Sequence, residues 1–120
     1  MYNQSSSFIA YQDQVITIEF KTKEGASKGE TIVKAVITKN MNIPVNDIEL
    51  IIVVPRYIQL QTKPISSTSL TSNDETITQL FRLRNNMIDE KDTVVKMRVL
   101  YHTDEGDVDE TVMVDQFANE

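Results

Sequence analysis

The stretch "VVKMRVLYH", residues 94–102, alternates apolar and other side chains along its length. Successive side chains of a strand point to opposite faces, so Val95, Met97, Val99 and Tyr101 form one buried set. Lys96 and Arg98 share the other face with Val94, Leu100 and His102. Two cations beside a leucine on an exposed strand, in a chain of formal net charge −6, call for a negative partner.

The next strand sharpens that requirement. With "DEGD" (104–107) as a hairpin loop, Val99 opposes Val112 and Met97 opposes Val114, both pairs inward. On the outer face this register puts Lys96 opposite Asp115, His102 opposite Asp109 and Arg98 opposite Met113. Lys96 then has an ordinary cross-strand carboxylate, and His102 with Asp109 is a structural strand-end pair. Arg98 is left among Met113 and Leu100, with its stem flat on apolar neighbours and its head free.

The same alternation recurs on both sides of this hairpin. Strands are predicted at Ile9–Tyr11, Val15–Lys21, Thr31–Thr38, Asp47–Val54, Ile58–Thr62, Thr76–Arg84, Thr93–His102 and Val108–Val114. The segments between them carry the Gly, Asn, Asp and Ser that turns favour. No stretch has a helical stripe, and seven or eight short strands at this spacing predict an all-β, immunoglobulin-like sandwich of two antiparallel sheets. Within "IELIIVV" (48–54), Ile48, Leu50, Ile52 and Val54 face in, while Glu49, Ile51 and Val53 face out. Pro55 ends that strand and Arg56 opens a corner. The serine-rich residues 1–7 read as the end of a flexible linker, with the folded unit at 8–120.

Composition narrows the function classes. A chain of 120 residues suits one domain, it has no cysteine for a disulfide or a thiolate metal site, and it has one histidine. No cofactor or metal and no catalytic centre is expected, because His102 has neither a thiol nor an orienting partner set around it. Acidic balance argues against nucleic acid, and no apolar run is long enough for membrane insertion. The final twenty residues hold seven carboxylates and no lysine or arginine, whereas Arg56, Lys63, Arg82, Arg84, Lys91, Lys96 and Arg98 lie between 50 and 100. Arg82, Arg84 and Lys91 read as a solvated face. The competing class is a calcium-dependent, membrane-binding β-sandwich, suggested by Asp104, Glu105, Asp107 and Asp109 in one hairpin.

The segments "FIAYQDQVITIEF", "VVPRYIQLQ", "ETITQLFRLRN" and "VKMRVLYHTDEG" resemble the ear domain of γ-adaptin (GAE domain), above all the C-terminal ear of the Golgi-localised, γ-ear-containing, Arf-binding (GGA) clathrin adaptors. The resemblance runs from Phe8 to Phe117. It implies a non-catalytic, monomeric module that holds short acidic peptides containing phenylalanine and glycine. Such peptides come from clathrin accessory proteins, epsin-like ones among them, in vesicle transport at the trans-Golgi network and endosomes. The implied localisation is cytoplasmic and peripheral on those membranes, through the rest of the adaptor. The implied groove falls on Val53, Arg56, Thr62, Lys96 and Arg98, with Ile51, Leu100 and Met113 as pocket neighbours. Thr62 stands where relatives often have leucine, and Val53 where they often have a smaller residue.

Overall fold

The computed structural model describes residues 5–71 and 75–117. Eight strands fill it: β1 (Ser5–Gln12), β2 (Ile16–Glu24), β3 (Glu30–Lys39), β4 (Asn46–Val53), β5 (Ile58–Thr62), β6 (Ile77–Asn85), β7 (Val95–Thr103) and β8 (Gly106–Val114). They form two antiparallel sheets, one ordered β1-β2-β3-β6-β5 and the other β4-β7-β8. The sandwich expected from alternation is therefore the fold. Its first strand starts at Ser5 and pairs Ser5, Ser6 and Ser7 with Lys23, Thr22 and Lys21. Residues 1–4 of the stretch read as a linker lie outside the described residues.

The core is the set that parity selects. Val95, Met97, Val99 and Tyr101 of β7 face Ile16, Ile18 and Phe20 of β2, Val33, Ala35 and Ile37 of β3, and Ile77, Phe81 and Leu83 of β6, all buried. Burial of such side chains is the main favourable term in folding, at about 1.5–3 kcal/mol for each large one. One aromatic cluster ties the last described residue to the first strands. Phe117 lies edge-on to Phe8 at 5.6 Å and tilted to Phe20 at 6.3 Å, while Phe20 meets Phe81 at 5.4 Å.

Two polar devices hold the ends. Asp13, between β1 and β2, accepts backbone N–H bonds from Val15 and Ile16 at 2.7 and 2.8 Å. Its other oxygen accepts the hydroxyls of Tyr11 at 2.6 Å and Tyr101 at 2.5 Å, so one carboxylate fastens the five-stranded sheet to β7. At the β6–β7 crossover, buried Asn85 donates to Lys91 O and accepts from Met87 N, both at 2.8 Å, and shapes the 86–93 loop.

The β7–β8 hairpin corrects the register expected from sequence. Only Asp104 and Glu105 connect the strands, because Thr103 already pairs with Gly106. Gly106 has φ 129°, outside the range L side chains adopt with ease, and Thr103 Oγ1 accepts from Glu105 N at 3.1 Å. Glycine and threonine together let the chain re-enter the ladder two residues sooner than a "DEGD" loop allows. Val99 therefore opposes Glu110, Met97 opposes Val112 and Val95 opposes Val114. A slip of two residues leaves every side chain on its expected face while changing every partner.

Candidate functional site on the three-stranded sheet

The outward face of β4-β7-β8 is a grid that the two ladders define. Val53, Lys96 and Met113 form one row across the three strands. Ile51, Arg98 and Thr111 form the next, and Glu49, Leu100 and Asp109 the third. The first row is the most apolar exposed one on this sheet, with Val53 52 % and Met113 60 % exposed. Both flank the aliphatic stem of exposed Lys96. A lysine there presents a solvated ammonium over a greasy base.

The corrected register exchanges the roles expected for the two cations. Lys96 does not oppose Asp115; it opposes Met113 and has no ion-pair partner among the described residues. Arg98, expected to lack a carboxylate, holds Asp109 in a fork: Nε donates to Oδ1 at 2.8 Å and Nη2 to Oδ2 at 2.6 Å. Asp109 is Arg98's diagonal neighbour, two residues from directly opposed Thr111. These hydrogen bonds hold the Asp109 carboxyl below its ordinary range and raise the guanidinium. A guanidinium has five N–H donors, so the fork positions Arg98 and leaves three for another acceptor.

The remaining expected residues lie beyond this grid. Arg56 is exposed in the turn after Pro55, closed by Ile58 N bonding to Pro55 O at 3.0 Å. Thr62 belongs to the other sheet, where it ends edge strand β5 opposite Phe81. It is exposed on the strand's inner side, at the rim between the sheets. The ladders thus bring together Val53, Lys96, Arg98, Ile51, Leu100 and Met113, and do not join Thr62 to them. A surface depression of about 560 Å³ is lined by Thr62 but by none of those six. Asp109 is the residue that sequence reasoning misplaced, and its signal was the diagonal rather than the direct cross-strand position.

Two of the four acidic side chains of the hairpin, Asp107 and Asp109, are held in pairs. His102 Nδ1 hydrogen-bonds Asp107, not Asp109, and that bond raises its pKa above the usual histidine value. With Asp109 on Arg98, no group of three or more histidine or carboxylate side chains converges on a metal-sized point among the described residues.

This fold has known counterparts. The sequence model of the adaptin C-terminal domain family matches residues 6–118. The chain belongs to that family. It is an adaptin ear domain, and the relatives it matches are of the γ type. It is 32 % identical over 111 residues to the AP-1 complex subunit gamma-1 of Arabidopsis thaliana, covering 91 % of this chain and 13 % of that protein. The chain therefore spans only a small part of that relative's length. Among solved structures, the ear resembles the GAE domain of GGA2p from Saccharomyces cerevisiae with a TM-score of 0.81 at 21 % identity, covering 94 % of this chain and 98 % of that one. It resembles the GAE domain of yeast GGA1 with a TM-score of 0.84 at 18 % identity, covering 94 % and 100 %.

Proposed function

We propose that this ear binds short acidic peptides containing phenylalanine and glycine, from epsin-like clathrin accessory proteins, along the β4–β7 face. In this reading it is the C-terminal ear of a GGA adaptor, acting in trans-Golgi and endosomal transport on the cytoplasmic side of those membranes and without catalysis. The observation that carries the reading is the row Val53–Lys96–Met113: an ammonium with no ion pair among the described residues, between two exposed apolar side chains and next to the half-free guanidinium of Arg98. A peptide phenylalanine would cover the apolar pair while neighbouring carboxylates meet Lys96 and Arg98. Arg56 and Thr62 would contact the segment where it leaves the grid. Asp109 would act through Arg98, as the residue that aims it.

Burial of one aromatic ring contributes about 1.5–3 kcal/mol and exposed charges less than about 1 each, against the cost of ordering the peptide. A dissociation constant of about 1–100 µM follows. The test is Lys96→Glu, titrated with an acidic phenylalanine-glycine peptide by fluorescence anisotropy beside a melting curve. Lys96 has no ion pair among the described residues, so the melting temperature should stay put while affinity falls by about tenfold or more. Unchanged affinity would remove this face as the site.

A further inference from the structure

The outward face of the five-stranded sheet, across the core from the grid above, collects cations that are scattered in sequence. The ladders align Lys21, Lys34 and Leu80 on β2, β3 and β6, and Lys63 extends the row by donating its N–H to Leu80 O at 2.9 Å. Lys23, Ile32, Arg82 and Gln61 form the next row, and Arg84 follows opposite Glu30. Six of the chain's 12 lysines and arginines thus share a face with two carboxylates, Glu19 and Glu30. Six less two leaves a surplus of four positive charges on a chain whose net charge is −6. Ion pairing does not absorb it. Arg82 reaches Glu30 at 3.3 Å, but Lys21, Lys23, Lys34, Lys63 and Arg84 have no ion pair among the described residues.

The centre of this face is apolar and concave. Leu80 is 41 % exposed, and half-buried Ile32 is its diagonal neighbour. Both line two adjoining depressions of about 560 and 420 Å³, the first bordered by Lys63 and Arg82 and the second by Lys21, Lys23 and Lys34. We infer that this face is a second docking site, for an acidic linear peptide with a bulky apolar side chain. Unpaired cations around a recessed apolar floor complement a protruding side chain flanked by carboxylates. A flat anionic bilayer would meet the cations without reaching the floor. From β2 to β5 the row crosses three strand spacings of about 4.8 Å, the reach of roughly four or five extended residues. Two sites on opposite sheets would let one partner with two motifs bind by avidity.

The experiment is an NMR titration of the ¹⁵N-labelled domain with the glycine-free peptide Asp-Glu-Asp-Phe-Glu-Asp, on the parent and on Lys34→Glu, Leu80→Ser and Lys96→Glu variants. Amide shifts should centre on Lys34, Leu80 and Arg82. Lys34→Glu and Leu80→Ser should each weaken the peptide about tenfold without lowering the melting temperature, whereas Lys96→Glu should leave these shifts unchanged. That last variant separates this site from the β4–β7 face. Shifts confined to β4 and β7, or shifts indifferent to Lys34→Glu and Leu80→Ser, would overturn the inference. So would flotation with vesicles of about three parts phosphatidylcholine to one of phosphatidylserine that Lys34→Glu abolishes, if the peptide causes no shift.

Discussion

At the scale of single residues, Asp13 carries more of the structure than its place in a turn suggests. Burial pushes its carboxyl up, but hydrogen bonds from Tyr101, Tyr11, Ile16 and Val15 outweigh that and hold it below the usual carboxylate range. A depressed carboxylate contributes stability that is fully present above the unfolded value of about 3.9 and is lost as pH falls through the folded one. Asp13→Asn should therefore lower the melting temperature near neutral pH, and its gap from the parent should close below about pH 4. Asp13→Ala, which strands both tyrosine hydroxyls and two backbone N–H groups in a half-buried site, should cost about 2 kcal/mol. Melting curves across that pH range check both. A gap that persists undiminished at the acid end would mean that the cost is shape rather than charge.

At the scale of elements, the turns decide which strands meet and in what register. Gly29, just before β3, has φ 80°, and a Cβ there would lie 2.4 Å from Asn85 O, whose residue bonds back through its N–H to Gly29 O. Gly106 has φ 129°, yet nothing lies within 4 Å of the position its Cβ would take. Gly106→Ala should thus cost only the backbone strain, about 1–2 kcal/mol, while Gly29→Ala adds a steric clash with fixed backbone and should cost more. Urea unfolding of the two variants measures the order, and equal losses would show that the close approach at Gly29 relaxes. The β7–β8 turn also explains which part of the grid was legible. Parity placed Lys96 and Arg98 outward beside Ile51, Val53 and Leu100, since any even slip preserves faces. It could not choose between Met113 and Asp115 as the partner of Lys96, because that choice rests on Gly106 and the Thr103 side chain.

At the scale of the whole molecule, charge sign is sorted by sheet rather than by chain segment. The linear reading located the cations between residues 50 and 100, but Lys21, Lys23 and Lys34 join Lys63, Arg82 and Arg84 only when β2, β3, β6 and β5 lie side by side. A molecule of net charge −6 repels an acidic peptide at long range and attracts it only at such local surpluses. Salt screens both effects beyond a Debye length of about 8 Å at physiological strength. Raising sodium chloride from about 0.1 to 0.5 M should therefore weaken peptide binding by less than about threefold, whereas replacing the peptide phenylalanine with alanine should cost about tenfold or more. Calorimetry of both peptides at the two salt concentrations checks this. Abolition by salt, with the alanine peptide still bound, would make the sites purely electrostatic.

The sequence by itself determined the class of fold, the strand locations, the core and the face on which each β7 side chain lies, because a period of two is a local property of extended backbone. Its resemblance to γ-adaptin ears was equally local, carried by short blocks such as "VVPRYIQLQ". Only the tertiary structure decided partners: that Arg98 grips Asp109, that Lys96 stands between Val53 and Met113, that Thr62 sits on the other sheet, and that six dispersed cations form one face. Pairings of this kind depend on where loops let strands re-enter a sheet and on the order in which distant strands lie side by side. Neither is encoded in the alternation of any single strand.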